Sequence, residues 1–432
     1  MRGVSAQPFA GIRVVEFGQF IAVPFAAQLL SEGGAHVVKV ESLEGDPTRH
    51  LAPLAPGETR HFISRNRGKH SLPLDLKHPA AKTVIEALVA SADIVLTNLR
   101  PGLAEELGVD YAQLSTRYPR LVVGNVTAFG HSGPDAGLAG MDLMMQARSG
   151  LMVAAGKVTG GVPQAADPPL IDYMCAMMLS FGLASALFRR ERTGRGGEVD
   201  VALLMAALTL QNNSFVRVES IDGPIHAGVL EQLAELRHAG APFAEQSAIL
   251  PSVRTNSMSS VYYRTYATAD AAIAIACVSP SLQRRLMAAV GLADAGHERP
   301  IERGQMAQHY ADLQREMEAR LASRSTAEWQ STFEAAGVPA SGVKFPVELA
   351  DDEQVTANAF VHDLDHPALG PVRVLAPPVQ LDGDGFMPAF ATAAFASETR
   401  EILATLGFDG GAIADLIAAG ATHDGREEGS SV

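Results

Sequence analysis

The chain has 432 residues, 47% of them hydrophobic, and carries a formal net charge of −14 at pH 7. This apolar share can fill a large core, which excludes a disordered or fibrous protein. The acidic balance argues against binding to nucleic acid or to an anionic membrane surface, because the long-range field repels polyanions.

Three further features indicate where the protein works. Its two cysteines, Cys175 and Cys277, cannot build a disulfide framework and suit a reducing compartment. The first residues lack the charged-then-apolar pattern of a signal peptide. The longest apolar run, Tyr173–Phe188, is short for a bilayer span of ~20 residues. We therefore expect a cytoplasmic globular protein with no membrane partner.

Strand and helix patterns alternate along the first half of the chain. Predicted strands are Ile12–Phe17, Ala35–Glu41, Asp93–Thr97, Leu121–Thr127 and Glu198–Leu203. Predicted helices run from Pro24 to the stop at Gly33, over Ala80–Ala90, and over about Tyr173–Arg190. Strand–helix–strand units with short joints favour parallel pairing through right-handed crossovers. The expected fold class is α/β, with an open parallel sheet.

The second half of the chain predicts a separate unit. Periodicity fades between about 215 and 260, as in a connector. From Tyr262 onward the pattern predicts a β-hairpin that turns at Ala269 and Asp270. Further helices are predicted over Ser281–Val290, Met306–Arg324, Thr326–Gly337 and, as a final pair, about Ser397–Ala419.

The common glycine-rich phosphate motifs are missing from the sequence. The first strand is followed by Phe17-Gly18-Gln19-Phe20, without G-x-G-x-x-G, and no G-x-x-x-x-G-K-[ST] occurs. A nicotinamide or ATP enzyme is disfavoured because both motifs place a nucleotide phosphate on a helix N-terminus. No histidine–cysteine spacing is typical of zinc, so we expect no metal.

A basic stretch covers residues 60–82, within an otherwise acidic chain. Its single acid, Asp75, stands among six cations: Arg60, Arg65, Arg67, Lys69, Lys77 and Lys82. One interpretation is a solvated basic loop. The other is phosphate binding, because such side chains form charge-assisted hydrogen bonds to phosphate and ligands collect at the carboxyl ends of strands in open α/β sheets.

Asp172 stands at the mouth of the most apolar predicted helix. It could be a plain N-cap. Alternatively, the helix dipole keeps it ionised while apolar surface on one side limits its solvation, which makes it a better nucleophile than a carboxylate in water. Cys175, one turn later, is interpreted as a buried packing residue.

These segments, taken in order, resemble the family III CoA-transferases, the group that includes formyl-CoA transferase and the carnitine CoA-transferase. The resemblance covers some 400 residues. It rests on the segments GIRVVEFGQFIAVPFAAQLLSEGGAHVVKVE, GDPTR, NRGKHSLPLDLKHP, ADIVLTNLRPG, FGHSGPDAGLAGMDLMMQARSGLM, DPPLIDYMCAMMLSFGLASALFRRERTGRGGEVDVALL, GVPASGVKFPVEL and SETREILATLGFDGGAIADL.

The resemblance implies a domain layout and an assembly. A large Rossmann-like CoA-binding domain would comprise residues 9–214 and 338–432, and a smaller α+β domain residues 225–330. Linkers would cover 215–224 and 331–337. Two such chains would be threaded through each other as an interlocked homodimer.

The resemblance also implies site residues and chemistry. The family's catalytic aspartate matches Asp172, whose acylation by an acyl-CoA and conversion to an aspartyl–CoA thioester would let CoA pass to a carboxylic acid. CoA would contact the loop from Lys39 to Arg49, and Gln19, Lys69, Asn98 and Leu99. The basic stretch, with Arg67, would hold the CoA phosphates.

Other activities stay open beside this one. In the related α-methylacyl-CoA racemases a histidine base matches Met141, which cannot carry a proton, so racemisation is disfavoured. Intramolecular CoA transfer within one diacid is a second alternative on the same fold. Outside that fold's reactions, the alternatives are a CoA-binding protein without turnover and a dehydrogenase, which the missing glycine motif disfavours.

Overall fold

The computed structural model describes residues 7–250, 259–302, 304–382, 385–387 and 390–425. The chain divides into two compact units, one formed by Met1–Ser247 with Thr356–Val432 and the other by Ala248–Val355. Parts of the two predicted domain ranges, including 251–258 and 426–432, lie outside the described residues.

The regular elements are numbered in chain order. The strands are β1 (Arg13–Phe17), β2 (His36–Glu41), β3 (Lys69–Pro73), β4 (Ile94–Thr97), β5 (Val122–Thr127), β6 (Val158–Thr159), β7 (Val162–Pro163), β8 (Gly197–Ala202), β9 (Tyr263–Ala267), β10 (Ala272–Ala276), β11 (Ala340–Gly342), β12 (Val361–His366) and β13 (Gly370–Leu375). The helices are α1 (Ala22–Glu32), α2 (Arg60–Asn66), α3 (Ala81–Ser91), α4 (Leu103–Leu107), α5 (Tyr111–Arg117), α6 (Asp142–Ser149), α7 (Leu151–Ala154), α8 (Leu170–Thr193), α9 (Leu203–Leu210), α10 (Asn212–Phe215), α11 (Glu219–His238), α12 (Phe243–Ala248), α13 (Ser259–Tyr262), α14 (Pro280–Val290), α15 (Met306–Leu321), α16 (Thr326–Ala336), α17 (Glu353–Ala357), α18 (Thr399–Thr405) and α19 (Gly410–Ala418).

The first unit is built on a six-stranded sheet in the order β3-β2-β1-β4-β5-β8. All its strand pairs are parallel, which confirms the predicted α/β class. The order reverses direction between β1 and β4, so the crossover connections diverge there and leave a crevice at the carboxyl ends of these strands. In open α/β sheets such a switch point is where ligands bind.

Helices cover both faces of this sheet. On one face α1, α8 and α9 bury a core that includes Ala26, Leu179 and Ala206. On the other face α3 packs beside α18 and α19, with Leu88 and Leu403 fully buried or nearly so. The last helices of the chain therefore complete the core that its first strands begin.

Helix α8 lies directly on the sheet. A Cβ at Gly124 of β5 would come within 2.6 Å of the Leu96 side chain and 3.1 Å of Leu183, so glycine permits this close packing. By length and composition the 24-residue helix could also cross a membrane. The buried core helix of a soluble protein passes the same test, and here one face of α8 fills the core.

Several elements differ from the prediction. The segment after β2, where no strand or helix is predicted before Ala80, contains α2 and β3. Strand β3 begins with the polar residues Lys69 and His70, so its sequence lacks the apolar pattern of a buried strand. Helix α11 runs through the predicted connector despite Pro224, and none of its residues is buried, so no apolar stripe marks it.

The second unit has its own core. Strands β9, β10 and β11 form an antiparallel sheet, as the predicted hairpin requires. Helices α14, α15 and α16 cover it with Leu286, Met317 and Phe333. Residues 331–336 thus belong to a core helix and not to the predicted linker at 331–337, because Phe333 is needed to fill that core.

Candidate active site

A groove of about 460 Å³ opens at the switch point of the first unit. Its walls come from the loops that follow β1, β4 and β5, and from the first turn of α8. The groove brings together four of the predicted site residues, Gln19, Asn98, Leu99 and Asp172.

The loops after β1 and β4 are tied to each other at the groove. The Gln19 backbone N–H donates to the Asn98 Oδ1 at 2.9 Å, and the Asn98 Nδ2 donates to the Gln19 carbonyl, also at 2.9 Å. Phe20 follows with φ at 65°, a left-handed conformation that costs a non-glycine residue of order 1–3 kcal/mol. Strain of this kind clusters at ligand sites, and here it lies on the groove wall.

Asp172 lies in the first turn of α8, three residues after the N-cap Pro169. Its carboxylate caps nothing: within the described residues no side-chain hydrogen bond reaches it. The capping is done by Asp142, the first residue of α6, which accepts the backbone N–H of Ile171 at 2.8 Å and that of Asp172 at 3.1 Å. The N-cap interpretation of Asp172 is therefore wrong.

The surroundings of Asp172 disfavour its charged form. Burial, and then the neighbouring charge of Asp142, raise the pKa of the Asp172 carboxyl to about 7, although the Arg65 charge lowers it. Burial also raises the pKa of the Cys175 thiol to about 12. Cys175 is fully buried, so it packs as a hydrophobe and is no thiolate nucleophile.

Arg65 is the member of the basic stretch that approaches Asp172. It lies in the last turn of α2 and is buried. Its Nε donates to the Tyr173 hydroxyl at 3.3 Å. This places a cation near the first turn of α8, where it partly offsets the effect of the Asp142 charge on Asp172.

A second titratable pair, His131 and Asp200, lies at the same groove, which His131 lines. His131 Nε2 contacts Asp200 Oδ2 at 2.8 Å, and Asn125 donates to the other oxygen of Asp200 at 3.2 Å. The Asp200 hydrogen bond raises the pKa of His131. The sequence gives no local indication of this pair, because Asp200 lies on a different strand, β8.

Two of the predicted CoA contacts, Lys39 and Lys69, do not line the groove. Lys39 is 1% exposed and lies 2.9 Å from both Glu16 and Asp46. Burial would lower the pKa of Lys39, but the charges of these acids outweigh it and raise the pKa. Lys69 contacts Glu16 at 2.8 Å and donates to the Pro24 carbonyl at 2.7 Å. Both amines are satisfied by the protein itself.

The other two predicted cations, Arg49 and Arg67, also lie in buried ion pairs and do not line the groove. Arg49 forms a two-pronged contact with Glu41, at 2.7 and 2.9 Å, and stacks over Phe62. Arg67 pairs with Glu32 at 2.7 Å. The structure thus places these four side chains in buried ion pairs outside the groove, and their contact with CoA stays a prediction.

Comparison with known proteins agrees with the geometry. The sequence pattern of CoA-transferase family III matches residues 9–391 of this chain. This chain is a family III CoA-transferase. The predicted resemblance is therefore confirmed, and with it the class of enzyme.

Relatives of the transferase span nearly its full length. It is 28% identical over 413 residues to the cinnamoyl-CoA:phenyllactate CoA-transferase of Clostridium sporogenes, covering 93% of each chain. It is 30% identical to the succinate–glutarate CoA-transferase of Agrobacterium fabrum, covering 83% of this chain and 85% of the relative. These relatives are named for different acids.

Solved structures share the fold. The orthorhombic form of Rv3272 from Mycobacterium tuberculosis has a TM-score of 0.71 and 27% identity, covering 90% of the transferase and 96% of that chain. A CAIB/BAIF family protein from Brucella suis has a TM-score of 0.70 and 26% identity, covering 93% of the transferase and 100% of that chain.

Proposed function

We propose that the transferase moves CoA from an acyl-CoA to a carboxylic acid through two covalent intermediates on Asp172. The Asp172 carboxylate attacks the thioester carbonyl and forms a mixed anhydride with the acyl group. CoA leaves as a thiolate. The thiolate then attacks the aspartyl carbonyl, releases the donor acid and leaves an aspartyl–CoA thioester. An acceptor carboxylate reverses these steps and departs as its CoA ester.

The position of Asp172 carries this proposal. Its carboxylate faces a groove at the switch point of the sheet and has no structural partner among the described side chains. A structural carboxylate in this place would be paired or would cap a helix. A poorly solvated carboxylate is a strong nucleophile once ionised, and each step exchanges acyl groups of similar reactivity, so the reaction needs neither ATP nor a metal.

We propose that CoA lies along the loops after β1 and β4. Gln19, Asn98 and Leu99 are the predicted contacts that line the groove, and the exposed cation Arg100 lines it beside them. Helix α1 also begins there, and its N-cap residue Ile21 provides no side-chain cap. Uncapped N–H groups and one guanidinium suit an anionic ligand.

The acyl group would occupy the apolar part of the groove. Phe20, Leu138, Met141 and Leu203 line it. These side chains would help exclude water from the anhydride, which hydrolysis would otherwise consume. Racemisation stays the disfavoured alternative, because Met141 offers no base where the racemases have histidine.

A transfer assay with a panel of acids tests the proposal. Purified transferase is incubated with acyl-CoA donors and carboxylic acid acceptors of varied length, and every CoA ester is followed by mass spectrometry. We expect a new acyl-CoA to appear in proportion to the donor acid released, without free CoA. Deuterium uptake at the α-carbon without CoA exchange would instead indicate racemisation, and would overturn the proposal.

The pH dependence of the reaction should report Asp172. Since the ionised carboxylate is the nucleophile and its pKa is raised to about 7, kcat/KM for the donor should rise with pH up to about 7 and then level off. Each pH unit below 7 should cost about tenfold. A profile that stays flat from about pH 5 to 9 would contradict this, since an aspartate with its ordinary pKa is ionised throughout that range.

We further propose that the transferase is a homodimer. Helix α8 turns Phe181, Phe188 and Met177 outward, and the Phe181 side chain is 77% exposed in the single chain. Exposed apolar side chains on one helix are typical of an interface. Sedimentation should give twice the 45.5 kDa of one chain, and a stable species of 45.5 kDa would contradict the proposal.

A further inference from the structure

Asp142 reaches from α6 to the first turn of α8. Its Oδ2 accepts the backbone N–H of Ile171 at 2.8 Å and that of Asp172 itself at 3.1 Å. The helix's own N-cap, Pro169, makes no side-chain cap. Asp142 is 8% exposed, so this capping from a different helix takes place in the protein interior.

Gln146 holds Asp142 in this position. It lies one turn later in α6 and donates its Nε2 to the Asp142 Oδ1. Its Oε1 accepts the backbone N–H of Ala166 at 2.8 Å. The segment that leads into α8 and the carboxylate that caps α8 are therefore fixed by the same amide.

We infer that Asp142 is a positioning residue for the reaction, which orients the first turn of α8 and, through its negative charge, makes Asp172 a more basic nucleophile. This inference rests on the proposed role of Asp172. Two N–H groups of the first turn are occupied by Asp142, so they cannot solvate the Asp172 carboxylate. That carboxylate is left with apolar surroundings and a like charge beside it.

Two charged groups act on Asp172, Asp142 from α6 and Arg65 from α2. The Cys175 thiol, one turn along α8, is neutral because burial raises its pKa to about 12. Burial is the first cause of the raised pKa of Asp172 and the Asp142 charge is the second, against the opposing Arg65. Removing the Asp142 charge while keeping an acceptor should therefore lower this pKa.

Asp142→Asn makes that change, and the measurement is the pH profile of kcat/KM. The acidic limb should move down by about one pH unit, because a like charge beside the nucleophile is lost. In this variant the new amide nitrogen can face the Gln146 Nε2, which is also a donor, and this could disturb the fold. Asp142→Ser is therefore made in parallel, because its hydroxyl also offers a neutral acceptor to α8. At least one of the two should fold and show the shift.

The control is Asp409→Asn, which removes the charge of an aspartate that caps α19 away from the groove. It should leave the limb in place. If the Asp142 variants lose activity or melt earlier but keep the limb of the wild type to within ~0.2 pH units, then Asp142 is merely structural and the inference fails.

A second readout separates this failure from that of the proposed function. The unfolding free energies of the wild type and Asp172→Asn are measured across pH 5 to 9. Plotted against pH, their difference changes slope at the pKa of Asp172 in the folded protein, and this measurement needs no catalytic activity. The pH of this slope change should also fall when both proteins carry Asp142→Asn. If it falls and the protein has no transferase activity, the effect of Asp142 on Asp172 is supported and only the proposed role of Asp172 is overturned.

Discussion

Replacing Asp172 by asparagine is expected to abolish transfer, with kcat reduced on the order of 10³-fold or more. An amide cannot attack the thioester carbonyl, and no other described side chain in the groove matches Asp172 in being both poorly solvated and free of a structural hydrogen bond. The KM for the donor should change little, because the proposed contacts of CoA are with other residues. Steady-state kinetics with a competent donor and acceptor measure both values.

The same substitution should stabilise the fold at alkaline pH. Folding raises the pKa of Asp172 from 3.8 to about 7. Below pH 4 the carboxyl is protonated whether or not the chain is folded, so it does not change the free energy of unfolding. Between pH 4 and 7 that free energy falls as the pH rises, and above pH 7 the loss has reached its full size. With partial solvent screening, the gain of Asp172→Asn should be about 2 kcal/mol at pH 8 and vanish near pH 4. Chemical denaturation at the two pH values measures it.

The matched control is Asp167→Asn, which alters an exposed aspartate five residues earlier. It should change neither the rate nor the stability. If Asp172→Asn retained more than about a tenth of the wild-type kcat, another group would have to be the nucleophile.

Replacing Arg49 by methionine is expected to destabilise the first unit by about 3–5 kcal/mol. Burial alone would raise the pKa of Glu41, but the hydrogen bonds and charge of Arg49 outweigh it and lower that pKa. Without Arg49, Glu41 is left buried with its charge poorly compensated, while the contacts of Arg49 with Phe62 and the Gly57 carbonyl are also lost. The midpoint of urea unfolding, followed by circular dichroism, measures the change.

An exposed ion pair supplies the control. Arg373 contacts Asp363 at 2.9 Å across the β12–β13 hairpin, with both side chains at least half exposed. Arg373→Met should cost less than about 1 kcal/mol. A stable Arg49→Met protein whose KM for acyl-CoA has risen would mean that Arg49 binds CoA phosphate after all, contrary to its place in the structure.

Much of the sheet could be predicted because its strands are locally distinctive. Four of the six, β1, β2, β4 and β5, contain consecutive valine, isoleucine or leucine residues and are mostly buried, which is typical of a parallel strand. Strand β3 carries Lys69, whose amine is neutralised by Glu16 two strands away. Only the assembled sheet shows why that residue belongs in a strand.

Two of the groove residues, Gln19 and Asn98, were predicted from the resemblance to the family III CoA-transferases. The sheet explains why they meet: they follow β1 and β4, which are paired in parallel, so both lie at the same edge. Asp172 stands at the start of an unusually apolar helix, which the composition alone reveals. The resemblance therefore predicted this part of the site, and for Asp172 the residues alone already indicated it.

The charged residues show where local sequence reasoning stops. The basic stretch has one acid within it, yet the carboxylates that neutralise Arg67 and Lys69 are Glu32 and Glu16, more than thirty positions away. A local charge count cannot show such pairing. Asp142 was missed for the same reason: an aspartate that begins its own helix suggests a local cap, whereas its partners lie thirty residues later.

The most direct test of the account is to identify the covalent intermediate. The transferase is mixed with acyl-CoA without an acceptor acid, quenched and digested, and the peptide that contains Asp172 is examined by mass spectrometry. We expect CoA attached to Asp172, released by hydroxylamine and absent from Asp172→Asn, which should still bind acyl-CoA. An active enzyme that carries no adduct, or carries it on another residue, would contradict the account.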